Sequence, residues 1–280
     1  MRGSRDVWVR RGKTAARQIE RLAAWALAPR RWPRSVLASD DGSWPLVYAA
    51  DVPIARRDPD ADPRFEAGKH TNVALAAPCF DGLLVTPDRP LSFHRALGRP
   101  SRARGFVDGM ELRGGCIVPS VGGGVCLLSN ALFAMALAQG WTILERHGHS
   151  MQAVAPAAGE TWGVDATVLW PHVDLRLAPR EGPARLGVRV EGGVLRLDVH
   201  AQVRPRWVAH LAVVDDRVET TPAGTFRHNR LVRRLEHASG RVEVAVVAIN
   251  RKKWLEPEAR RRSCYTCGET GCRERPRRAG

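Results

Sequence analysis

The sequence predicts an α+β fold, with a mixed α/β core followed by an antiparallel β-rich region. Three observations carry that expectation. Residues 127–138 form an apolar segment long enough for a buried helix, and Gly140 supplies its stop. Beyond residue 166 apolar and polar residues alternate, and the runs 186–190 and 194–203 flank Glu191-Gly192-Gly193 as in a hairpin. Hydrophobic residues make up 44% of the 280-residue chain, enough to bury a core of one large or two small domains.

The elements follow in order. Residues 14–28 read as a helix, because Ala15, Ile19, Leu22, Ala23 and Ala26 fall at helical spacing while Arg17, Glu20 and Arg21 face the other way. Trp8, Trp25 and Trp32 accompany it. Its apolar face is expected to pack on its own domain; the competing reading lays it on a membrane surface. A short strand is expected around 44–48, a loop over 56–63, and a helix from Lys69 to Cys79 with Thr71 as its cap. Asp81-Gly82 is a turn, 83–86 a strand, and 87–120 a glycine-rich loop region. Strands are expected at 141–145, 166–170, 210–214, 225–235 and 241–250. Four regions result: a basic helical segment and linker at 1–65, a core at 66–178, a β-rich region at 179–250, and a basic cysteine-bearing tail at 251–280.

Charge divides along the same lines. The chain carries 44 Lys+Arg against 29 Asp+Glu, a formal net charge of +15. Residues 1–34 hold ten bases and two acids, and residues 251–280 hold ten bases and four acids. The body between them is almost neutral, so an anionic partner would be drawn to the two ends. No run approaches the ~18 consecutive apolar residues of a membrane span, and charges interrupt every candidate secretory core near the N-terminus. Cytoplasmic location is the expectation, with peripheral contact at the membrane as its extension.

The chemistry is expected at Cys126, which follows Gly122-Gly123-Gly124-Val125 and opens the apolar helix. Glycines allow a tight turn and close approach of a substrate, so Gly122, Gly123 and Gly124 are candidate substrate-binding residues. A helix N-terminus favours thiolate over thiol and offers N–H groups to an oxyanion. A thiol nucleophile also needs a base, and Arg146-His147-Gly148-His149 follows directly, with Asp165 at the start of the next expected strand. His149 is the first candidate base, His147 the second, and Asp165 the candidate orienting group. The order Cys at a helix start, then His, then Asp resembles the layout of transglutaminases and related papain-like thiol enzymes. The structural alternative is a buried, inert cysteine beside Leu127 and Leu128.

A wider set of motifs carries a second resemblance. Gly68-Lys69-His70-Thr71-Asn72-Val73-Ala74, Asp81-Gly82, Pro90-Leu91-Ser92-Phe93-His94, Arg104-Gly105-Phe106, Gly122 to Asn130, Glu145 to Ser150 and Asp165-Ala166-Thr167-Val168 resemble, in that order, the VanW family. The resemblance covers residues 66–178, and the Arg227-His228-Asn229-Arg230 motif and the terminal cysteines extend it toward the end of the chain. It implies an association with glycopeptide resistance or the cell envelope rather than a defined reaction. The family places Gln directly after the motif cysteine, where this chain has Leu127; an amide donor lost from an oxyanion site costs a few kcal/mol of transition-state stabilisation.

Cys264, Cys267 and Cys272 are spaced C-x₂-C-x₄-C, as metal ligands are. Zinc is the first expectation and a [4Fe–4S] cluster the second. A fourth ligand would come from Cys79, Cys116, a histidine or a partner. Two functions compete. One is a cysteine-dependent hydrolase or acyltransferase acting on an amide or ester of a small-molecule or cell-envelope precursor. The other is a non-catalytic, metal-stabilised binding protein whose basic ends hold an anionic partner. No sequence-specific nucleic-acid motif is present.

Overall fold

The computed structural model describes residues 3–28, 32–33, 44–55, 62–113, 116–152, 161–254, 264–265 and 267. The fold is α+β: among the described residues, four α-helices accompany several antiparallel sheets. Helix α1 spans Gly3–Leu27, α2 Pro63–Ala76, α3 Phe93–Leu97 and α4 Cys126–Ala138. Helix α4 is the centre of the core. Leu128, Leu132, Phe133, Met135, Ala136 and Leu137 bury most of its circumference, as expected of a helix apolar all round.

One antiparallel sheet runs in the order β1 (Leu46–Pro53), β10 (Val194–Ala201), β9 (Ala184–Glu191), β2 (Leu84–Val85). Leu186, Val188, Leu195, Leu197 and Val199 point into the core, while Arg189 and Arg196 stay exposed. That is the period-2 alternation read in the sequence. A small sheet joins β3 (Leu91–Ser92), β8 (Arg176–Ala178) and β6 (Thr142–Glu145). The C-terminal sheet is long: β11 (Trp207–Thr221), β12 (Gly224–His237) and β13 (Val242–Trp254) are antiparallel. The end of β13 pairs in parallel with β7 (Met151–Gln152), and the Lys253 N–H donates to Ser150 O at 2.9 Å. This pairing lays the last strand beside the loop that carries His149.

Helix α2 covers a hairpin of β4 (Asp108–Arg113) and β5 (Cys116–Val121). The fully buried Asn72 amide spends its groups there: it donates to Val107 O at 3.0 Å and Gly123 O at 2.9 Å, and accepts from Val107 N at 2.9 Å. Burial without those bonds would cost about 1–3 kcal/mol per group.

Three expectations are corrected. Helix α2 begins at Pro63, not Lys69. Asp62 is its cap, accepting the Arg64 N–H, and Pro63 occupies the first turn where no N–H is needed. Thr71 lies inside the helix and donates to Ala67 O. Residues 87–120 hold β3, α3 and most of the β4–β5 pair; of their described glycines, Gly98 and Gly105 have positive φ and Gly109 lies against the Gly123 main chain. Residues 166–170 form no strand beyond a bridge between Leu169 and Val173, because side chains and a loop carbonyl take the main-chain groups of Ala166 and Thr167.

The packing of α1 is also reversed. Arg21 and Trp25, on the side away from the predicted apolar stripe, dock on the protein: Arg21 grips both carboxylate oxygens of Glu145 at 2.6–2.7 Å, and the Trp25 ring lies 5.4 Å from that of Trp170. Ala15, Ile19, Leu22, Ala23 and Ala26 are exposed. A partly buried ion pair and one large buried aromatic outcompete a stripe composed mainly of alanine. Among the described residues no helix is long and apolar enough to cross a membrane.

Candidate functional site

The glycine turn sets Cys126 at the first position of α4. Gly122 and Gly124 have φ of 82° and 93°, a region L-residues rarely adopt. The space beside all three glycines is filled by protein. A Cβ on Gly122 would meet Pro100, one on Gly123 the Gly109 main chain, and one on Gly124 the Lys69 side chain. What these glycines admit is the protein's own packing.

Helix α4 then recruits the loop opposite. Ser129 donates to Ala166 O at 2.6 Å and the Asn130 side chain accepts the Ala166 N–H at 2.8 Å. The Thr167 N–H donates to His147 O at 2.8 Å. These bonds hold residues 165–168 between the start of α4 and the loop after β6. The Val168 N–H and the Thr167 side chain thereby reach the Cys126 thiol.

Within this frame Cys126, His149 and Asp165 converge. Asp165 Oδ2 accepts both the His149 main-chain N–H at 2.9 Å and the Nδ1–H at 2.6 Å. An ionised carboxylate only accepts, so Nδ1 carries the proton and Nε2 is directed elsewhere. The ring and the Cys126 thiol lie close enough to interact, each shifting the other's ionisation. His147 is not part of this line: half of its side chain is exposed and its Nε2 lies 3.2 Å from Glu145.

Asp165 Oδ1 faces two buried cations, Lys252 Nζ at 2.6 Å and Arg146 Nη2 at 3.1 Å. Arg146 also donates to the main-chain oxygens of Asp165 and Gly163. Burial alone would raise the carboxyl pKa. The His149 hydrogen bond and the charges of Lys252, His149 and Arg146 overcome it and hold Asp165 well below the usual carboxylate range. Burial also opposes the charged forms of the other two groups. Their hydrogen bond and mutual attraction prevail, with Asp165 behind the imidazole: the thiol is lowered from 9.0 and His149 is raised to about 9. The arrangement favours a thiolate–imidazolium pair.

Several of these residues carried no sequence signal of a site. Lys252 sits among the basic residues counted as tail, yet it is 6% exposed. Asn229 and Asn250, both buried, brace the Asp165 loop: Asn229 donates to Trp162 O at 2.9 Å, and Asn250 to Asn229 Oδ1 at 2.8 Å. Asn229 does lie in the Arg227-His228-Asn229-Arg230 motif. A cavity of about 520 Å³ is lined by Asp216, Arg217, Val218, Thr225, Arg227 and Trp254, a set that includes none of Cys126, His149 and Asp165.

The cysteine tail is only partly described. The Cys264 N–H donates to Ile117 O at 2.9 Å, and the Tyr265 ring packs on Phe65 at 4.9 Å and beneath Arg64 at 3.9 Å. Cys272 lies outside the described residues. Among the described residues no group of three or more His, Cys, Asp or Glu is placed to hold a metal ion.

Comparison with known proteins agrees with the motifs. The model of the VanW-like protein family matches residues 68–199. The vancomycin B-type resistance protein VanW of Enterococcus faecalis is 31% identical over 133 residues, 47% of this chain and 48% of that protein. The uncharacterized protein YoaR of Bacillus subtilis is 33% identical over 107 residues, 38% of this chain and 33% of that protein. The chain thus spans about half the length of the first relative and a third of the second. No solved structure matches. Lys252, Asn229 and Asn250 fall beyond the matched segment, whereas Cys126, Arg146, His149 and Asp165 fall inside it. Residues 68–199, which hold the motif cysteine and its histidine and aspartate partners, are thus a VanW-like segment that makes up a little under half of the chain.

Proposed function

We propose that the protein is a cysteine-dependent acyl-transfer enzyme of the papain–transglutaminase type of layout, acting on an amide or ester of a cell-envelope precursor. One observation carries this reading: Asp165 holds His149 by ring and main chain, and His149 and the Cys126 thiol interact. Cys126 Sγ attacks the carbonyl carbon, and the carbonyl π electrons move to oxygen. His149, already protonated, gives its proton to the departing amine or alcohol as the tetrahedral adduct collapses to a thioester. Water or an acceptor amine, deprotonated by His149, then releases the acyl group. Asp165 keeps the imidazole in one tautomer, and Arg146 and Lys252 keep Asp165 ionised. The Val168 N–H and the Thr167 side chain act on the thiol as donors, in a chain that has Leu127 in place of the family's Gln.

The envelope substrate class comes from the relative named for vancomycin resistance and remains a proposal for this chain. The test is incubation of the full chain with peptidoglycan stem peptides and lipid-linked precursors, read by mass spectrometry for cleavage, transfer or an acyl adduct on Cys126. Cys126→Ala should abolish every product. Turnover that survives Cys126→Ala would overturn the reading.

A further inference from the structure

We infer that the outward face of α1 is a docking surface for an anionic lipid bilayer. The helix is seated with its amphipathicity reversed. Thr14, Gln18, Arg21 and Trp25 lie toward the protein, fixed by the Arg21–Glu145 pair and the Trp25–Trp170 contact. The adjoining side, about 100° round the helix, presents Ala15, Ile19, Leu22, Ala23 and Ala26 to solvent, with Ile19 68% and Leu22 45% exposed, and Leu27 at the end is 85% exposed. A helix that docks through an arginine and leaves its aliphatic stripe in water has that stripe available for another apolar phase.

Charge selects the occupant. The first 34 residues hold ten Arg and Lys against two acids. A second copy seated on this face would bring two such segments together, and like charges repel. A bilayer with anionic headgroups attracts them, at about 1 kcal/mol per basic residue near its surface. The aliphatic side chains then enter the headgroup boundary, as those of interfacial helices do. The helix lies along the surface, since no described helix can cross it. A chain held in this way would meet lipid-linked precursors at the membrane, but the inference rests on α1 alone and does not require Cys126 to be catalytic.

The experiment is co-sedimentation of the full chain with phosphatidylcholine vesicles and with vesicles containing phosphatidylglycerol. Binding is expected only to the anionic vesicles, weakening as salt is raised. The double variant Ile19→Glu, Leu22→Glu should bind at least about tenfold more weakly. Both positions are exposed, so its circular dichroism and melting temperature should match the parent's. A parent that ignores anionic vesicles, or a folded double variant that binds them equally well, overturns the inference. So does a parent that is dimeric by ultracentrifugation and becomes monomeric in the double variant, because a second copy then covers the face.

Discussion

Asp165 Oδ2 accepts two hydrogen bonds from one residue, the His149 ring at 2.6 Å and the His149 main chain at 2.9 Å. The doubled contact fixes where the imidazole sits and which nitrogen bears its proton. Replacing the carboxylate by an amide removes the charge that holds the imidazolium and offers an N–H in place of an acceptor. Asp165→Asn should therefore slow alkylation of Cys126 at neutral pH about tenfold, read by site-resolved mass spectrometry with iodoacetamide. An unchanged rate would show that the thiol is not activated through this line. Should turnover be found, its loss in the same variant should be larger, roughly 10²–10⁴-fold.

The pH dependence follows from the same pair. The thiol is lowered from its ordinary 9.0, so Cys126 should already react at neutral pH, whereas a thiol that reacts only as pH passes 9.0 would contradict the pairing. His149 is raised from 6.5 to about 9. A raised imidazole pKa means the folded state binds that proton more tightly than the unfolded chain does. The stabilisation is whole below 6.5 and is lost as pH rises through about 9. The unfolded Cys126 keeps its thiol proton up to 9.0 while the folded thiol has given it up, so in the parent the two linkages offset each other across that window; thermal melts of Cys126→Ala should expose the decline, and adding His149→Gln should flatten it.

Lys252→Met removes one of the two buried cations on Asp165 Oδ1 and leaves Arg146 at 3.1 Å. The carboxylate keeps a partner, so the cost should fall short of the ~3–5 kcal/mol of a fully broken buried pair, at about 1–3 kcal/mol in urea unfolding. Cys126 should stay reactive in the folded protein. Loss of reactivity with stability intact would mean that Lys252 acts on the thiol itself rather than through Asp165.

The position of Lys252 shows where sequence reading reached its limit. Strands β9 to β13 were legible because alternation is local and each turn is marked by glycine or a polar pair. Cys126, His149 and Asp165 were legible because they stand in short, ordered motifs within 40 residues of one another. Lys252 reaches Asp165 across 87 positions through the β13–β7 pairing, and nothing nearby in the chain marks it as other than one more base in a basic tail. For α1 the spacing was read correctly, but periodicity says which residues share a face and not which face docks. That choice was made by Glu145 and Trp170, distant partners of Arg21 and Trp25.

Gly123 gives the sharpest test of what the glycine turn is for. If the turn served only to admit a substrate, a methyl group at Gly123 would obstruct binding and leave the fold intact. In the structure a Cβ there would lie 2.4 Å from the Gly109 carbonyl carbon, and a Cβ on Gly109 would lie 2.1 Å from Gly123 O. Both obstacles are main chain and cannot rotate away, and Asn72 bonds Gly123 O on the same side. Gly123→Ala and Gly109→Ala should each destabilise the protein by about 1–3 kcal/mol or more, read by urea unfolding. Gly192→Ala is the control: nothing lies within 4 Å of its Cβ, so its cost is confined to the strain of φ 56°. The two substitutions should also be non-additive, because either methyl alone forces the β4 strand and the turn apart. Additive losses would mean that the two glycines do not share one contact, and the turn would then be free to serve a ligand.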